Sequence, residues 1–173
     1  MSSLLSSVVS SARLLAAQAL PAADALPPAA KKSAIQPELL LVWLHVAGNL
    51  VWIGAVVAMG ILLTAGDTDA KVRGALARRI HLKLAMPAFG LSFVTAVIRT
   101  GIDVKYYFVQ HHWMHGKLLF ALAVIALHHI LGARARKMAG GSMQEAGASG
   151  MLTIAFLGCA ILAAFFVVLR FPD

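Results

Sequence analysis

"LLLVWLHVAGNLVWIGAVVAMGILL", residues 39–63, runs twenty-five residues without a charged side chain. As a helix rising about 1.5 Å per residue, it outspans a hydrocarbon core roughly 30 Å thick. Only His45 and Asn49 break the apolar run, and with Trp52 they fall at i, i+4 and i+7 on one helix face. That pattern predicts a membrane-crossing helix whose polar stripe is turned into a bundle, away from lipid.

Outward from this stretch, the run stops at Thr64-Ala65-Gly66-Asp67, and three more apolar runs follow at about residues 84–102, 113–132 and 151–171. The chain has 173 residues, 60% of them hydrophobic and 13% charged, a balance outside that of soluble domains. The expected fold is all-α, a polytopic membrane four-helix bundle forming a single domain over residues 39–173. Residues 64–83 are expected to form a basic loop, and "GARARKMAGGSMQEAGASG" a second one before the last span. Pro87 is expected in the first turns of the second span, where its missing N–H costs least and sets a modest kink. Gly54 and Ala58 form a small-xxx-small pair that predicts close helix packing, within the chain or between protomers.

Residues 1–38 form a leader rich in Ser, Ala and Pro. It reads either as a poor signal peptide, with Ala17-Gln18-Ala19 as the cleavage site and Arg13 against it, or as an amphipathic short helix or tail ending at Pro21, Pro27 and Pro28.

The formal charge of +8 is carried at the ends of apolar runs and not on a soluble basic domain, which excludes nucleic acid as the partner and points to lipid headgroups. Lys71, Arg73, Arg78, Arg79, Lys83, Arg134, Arg136 and Lys137 lie on one side, against Lys31, Lys32, Arg99, Lys105 and Arg170 on the other. The positive-inside rule then puts both termini outside. Cys159 is the sole cysteine and sits in an apolar run, so neither a disulfide nor a cysteine-ligated cluster can form within one chain.

Alternating spans sort the histidines into two layers. His45, Arg99, His111, His112, His115 and Lys117 gather near the outer face; His81 approaches His128 and His129 among Arg78, Arg79, Lys83 and Arg134 at the other. On the third span Lys117 and His128 are eleven residues apart and share a helix face at about 16 Å. Ionisable groups inside a span face an interior site, a partner or a water-filled cavity. Imidazole is an axial ligand for haem iron, and Arg or Lys near the headgroups suits porphyrin propionates, which makes haem b the leading cofactor. Copper is the rival, since "HHWMH" supplies His111, His112, Met114 and His115. Trp113, Tyr106 and Tyr107 suit an interfacial aromatic belt, whereas Trp52 lies mid-span on the His45 face.

"LARRIHLKLAMPAFG" followed by "WMHGKLLFALAVIALHHILGARARKMAGG" resembles the HemJ-type membrane protoporphyrinogen IX oxidases and their CopD-like relatives. The resemblance covers roughly residues 39–141 and includes His45 with Trp52, Pro87, and the Trp113-x-x-x-Lys117 start of the third span. It implies a b-type haem, porphyrinogen oxidation in a bacterial inner membrane, and functional roles for the positions of His45 and Lys117. The chain departs from that family at its end, where "GMLTIAFLGCAILAAFFVV" replaces the acidic and asparagine-containing opening of the fourth helix. Three functions follow. In the first, a haem oxidoreductase, His45 ligates iron, His115 or His128 is the second metal ligand, Trp52 and Arg99 line the cofactor and Lys117 is catalytic, with a porphyrin or quinone as redox partner. In the second, the chain is a non-catalytic subunit of a larger respiratory or photosynthetic complex, or a homo-oligomer. The third is CopD-like copper handling.

Overall fold

The computed structural model describes residues 37–66 and 68–168. Residues 1–36 of the leader, Arg170 and the end of the last span lie outside the described residues, and Pro37 and Glu38, read as the end of the leader, belong to the first helix. Within them the protein is all-α, and four helices are long and apolar enough to cross a membrane: Pro37–Thr64, Ala70–Ile102, Trp113–Ala139 and Ser149–Val168. The chain is a multi-pass membrane protein.

The first helix, α1 (Pro37–Thr64), begins on a proline whose absent N–H would be unbonded there anyway, with Glu38 favourably placed in the positive first turn. It closes where the Thr64 hydroxyl donates to the carbonyls of Gly60 (2.9 Å) and Ile61 (3.0 Å). After a short turn, Asp69 caps α2 (Ala70–Ile80) by accepting the backbone N–H groups of Lys71 (2.7 Å) and Val72 (3.2 Å).

The segment expected to be a basic loop is therefore helical. Its buried face is Ala70, Arg73, Gly74 and Ala77, at helical spacing but almost without large apolar side chains. Without a Cβ, Gly74 lets α2 approach the backbone of Met138 and Ala139. The helix that carries the second span accordingly starts at Ala70, well before the apolar run that begins near residue 84.

A π-helical turn, His81–Ala85, joins α2 to α3 (Met86–Ile102) in one rod. The Met86 N–H reaches back five residues to the His81 carbonyl. Pro87 explains the widened turn: it cannot donate to the Lys83 carbonyl, and its ring presses on that group. The proline expected at the start of the span lies in mid-rod, where it re-aims the side chains of residues 81–85.

A second π-helical turn, Tyr106–Gln110, leads into α4 (Trp113–Ala139), which runs seven residues past its expected end at 132 because α2 packs along it. Gly141, at φ 76°, makes the left-handed stop. Arg134 then holds the loop before α5 (Ser149–Val168), donating to the Ser149 hydroxyl and the Ala146 carbonyl, each at 2.8 Å.

Within the bundle α1 packs on α2, α3 and α5, and α4 packs on α2 and α5. The fully buried apolar side chains Val56, Met59, Leu63, Leu131, Met138 and Phe156 fill the half of the bundle nearest the basic segments. In the other half the buried residues are fewer and, Met114 apart, smaller or polar, among them Gly48, Ser92 and Thr95. In lipid, helices associate through close packing and not through release of water, so contacts at small residues set the geometry. These fall at Gly48 on Ser92 and Ala88, and at Gly60 on Thr153. A Cβ at Gly54 would meet no atom of another helix within 4 Å among the described residues, so the close packing expected there is not made by them.

Candidate functional site

The outer group is built on the Gly48 contact. Because α1 and α3 nearly touch there, the half-buried His45 ring reaches α3, and its Nδ1 lies 2.9 Å from the Ser92 backbone carbonyl and 3.1 Å from the Ser92 hydroxyl. A carbonyl can only accept, so Nδ1 carries the hydrogen and Nε2 the lone pair. The Asn49 amide donates to that Nε2 at 3.0 Å, and Asn49 in turn accepts from the Ser92 hydroxyl at 2.7 Å. Ser92 thus positions His45. Sequence reading missed it, since one hydroxyl in an apolar run normally bonds back to its own helix.

Seven residues along α3 from Ser92, Arg99 pairs with Glu38 at 3.4 Å and lies over the Tyr107 ring at 6.0 Å. Its buried Nε has no hydrogen-bond partner among the described residues. Lys117 is half-buried on α4, with its ammonium 5.9 Å from the Trp113 ring centre. Lys117 lies near enough to His45 for their charges to interact and has no carboxylate partner among the described residues. The structure therefore brings His45, Asn49 and Ser92 together, with Lys117 on the neighbouring α4 within electrostatic reach of His45.

His115 is exposed, with its ring edge-on to Phe108 at 6.2 Å and 6.1 Å from His112, while Met114 is buried. The thioether and the imidazoles of "HHWMH" consequently lie on different faces of the helix start. The His111 ring packs on Tyr106 at 4.4 Å. No three His, Cys, Asp or Glu side chains converge as a metal site among the described residues.

The second group is apolar around a histidine core. His128 is fully buried; its Nδ1 accepts the Trp52 indole N–H at 3.2 Å, and its Nε2 faces the Met86 sulfur at 3.3 Å. His81 stacks 4.8 Å from it, His129 lies at 4.9 Å and Phe89 at 5.5 Å. Trp52, two turns below His45 on α1, also packs on Phe89 and Phe156. His128 is therefore tied to Trp52, about 10 Å along the helix from His45. Beside this group opens a cavity of about 330 Å³ lined by Arg78, His81, Leu82, His129, Gly132, Ala133 and Arg136.

No family model, curated protein or solved structure matches the chain.

Proposed function

We propose that the chain is a HemJ-type integral membrane haem b protein with a redox role in a bacterial inner membrane, both termini on the outer side. The observation that carries this reading is the state of His45. With its Nδ1–H held by the Ser92 carbonyl, the imidazole presents Nε2 as the lone-pair nitrogen, the form in which histidine ligates iron, oriented by a backbone acceptor. Asn49 occupies that lone pair here, and rotation of its amide frees it. The partnerless Arg99 Nε and the uncompensated Lys117 suit porphyrin carboxylates on the same side of the bundle. The other two candidate ligands fit less directly: both nitrogens of His128 are engaged, and His115 is exposed on the surface. When bound, a haem supplies one-electron chemistry, with a quinone or protein partner as acceptor. The residues of the chain orient the ring, neutralise its carboxylates and hold substrate at Lys117.

The test is the absorption spectrum of the purified chain in detergent. A Soret band with sharp reduced α and β bands is expected, bleached in His45→Ala. In Lys117→Ala the spectrum is kept and porphyrinogen oxidation is lost. A colourless preparation, or haem retained in His45→Ala, overturns the assignment.

One observation favours a second reading, an accessory subunit of a larger membrane complex. α5 buries only Ser149 and Phe156 in the chain and leaves Met151, Ile154, Ile161, Phe165 and Val168 exposed. Stoichiometric co-purification with other membrane proteins, through a colourless chain, is the result that would establish it.

A further inference from the structure

The rod Ala70–Ile102 has 33 residues, a length of about 50 Å against a hydrocarbon core of roughly 30 Å. Its excess is the basic α2, and α4 overshoots at the same end with Arg134, Arg136 and Lys137. The two ends are locked together where Gly74 meets Met138 and Ala139, forming a two-helix stub at the level of the lipid phosphates. The cavity opens in this stub. Two of its walls are the guanidinium-bearing Arg78 and Arg136, which have no carboxylate partner among the described residues.

Arg134 donates to Ser149 and Ala146, and Arg73 is buried against the bundle. The acidic residues described on these segments are Asp69, which caps α2, and Glu145. Gly132 is required at the base, because a Cβ there would collide with the His81 ring. The Nδ1 of that ring is buried with no hydrogen-bond partner among the described residues. Around one hollow the two guanidinium groups supply donors alone, and each imidazole can add an N–H to them. A phosphate, with its several acceptor oxygens and a geometry matched by guanidinium forks, is the complementary group. The volume admits the phosphate and the few atoms esterified to it, since a water occupies about 30 Å³.

We propose that the cavity between α2 and α4 binds a phosphate group, through Arg78 and Arg136 with His81 and His129 as flanking donors. The proposal is independent of the haem reading, which concerns the opposite end of the bundle. Two sources present this chemistry at that depth, the phosphodiester of an anionic lipid headgroup and a soluble phosphate.

The test uses the full chain, delipidated in a neutral detergent, with inorganic phosphate followed by calorimetry. Saturable binding is expected, weakened at least tenfold in Arg78→Ala/Arg136→Ala and unchanged in Arg79→Ala, which lies outside the cavity. Both arginines are exposed, so helix content by circular dichroism should be unaffected in the double variant. Native mass spectrometry after transfer to phosphatidylglycerol or phosphatidylcholine nanodiscs separates the sources. Phosphatidylglycerol retained by the wild type, shed by the double variant and displacing inorganic phosphate identifies a headgroup site. Equal phosphate binding in both nanodiscs identifies a soluble ligand. Absence of both phosphate and phosphatidylglycerol binding, competition by acetate as strong as by phosphate, or wild-type affinity in the double variant overturns the proposal.

Discussion

The indole N–H of Trp52 on α1 donates to Nδ1 of His128 on α4 across 3.2 Å, inside a cage of aromatic rings. The bond sets the His128 tautomer and leaves its Nε2–H to the Met86 sulfur. It joins Trp52, expected to line a cofactor, to a core histidine.

Replacing the donor while keeping a ring isolates this bond. Trp52→Phe preserves packing on Phe89 and Phe156 but leaves the buried Nδ1 without a donor, a loss of about 1–3 kcal/mol. A lowered unfolding midpoint in detergent, with helix content unchanged, is the expected readout; an unchanged midpoint would show that the bond contributes nothing net.

Two glycine substitutions should part company. At Gly74 a methyl group meets the backbone of α4, which cannot move aside as a side chain can, so Gly74→Ala should destabilise by about 1–3 kcal/mol. Gly54 faces open space, and Gly54→Ala should be neutral or slightly stabilising in the monomer. Should Gly54→Ala instead reduce an oligomer to monomers on size exclusion, the open face is an interface between protomers.

Asn49 competes for the His45 lone pair, and its removal therefore has a definite sign. In Asn49→Ala the ring keeps its hydrogen bond to the Ser92 carbonyl, and haem titration should give equal or tighter binding than in the wild type. Weaker binding would mean that Asn49 contacts the cofactor itself.

The Arg99–Glu38 pair is partly exposed, with side chains 31% and 59% accessible. Exposed pairs contribute about 0–1 kcal/mol, so Glu38→Gln should leave the unfolding midpoint nearly unchanged while freeing Arg99 for an anionic group. A tighter porphyrin carboxylate interaction in that variant, seen as slower cofactor loss to an apoprotein acceptor, is the accompanying expectation.

Four uncharged or nearly uncharged runs determined four crossings, because lipid requires each backbone to satisfy itself as a helix and tolerates few charges. Hydropathy could not show that residues 70–83 are helical. Their buried stripe is Ala70, Arg73, Gly74 and Ala77, residues whose burial is defined by α4 lying against them and not by their own polarity. The sorting of histidines into two groups was legible from alternation of the spans, as was the polar face of α1. What each imidazole bonds was decided only by tertiary structure: Ser92 reaches His45 because Gly48 admits α3, and Trp52 reaches His128 because α1 and α4 converge around Phe156. A linear pattern places a side chain on a face and at a depth. The direction of its hydrogen bond depends on the neighbouring helix, and small residues far apart in sequence set that helix's distance.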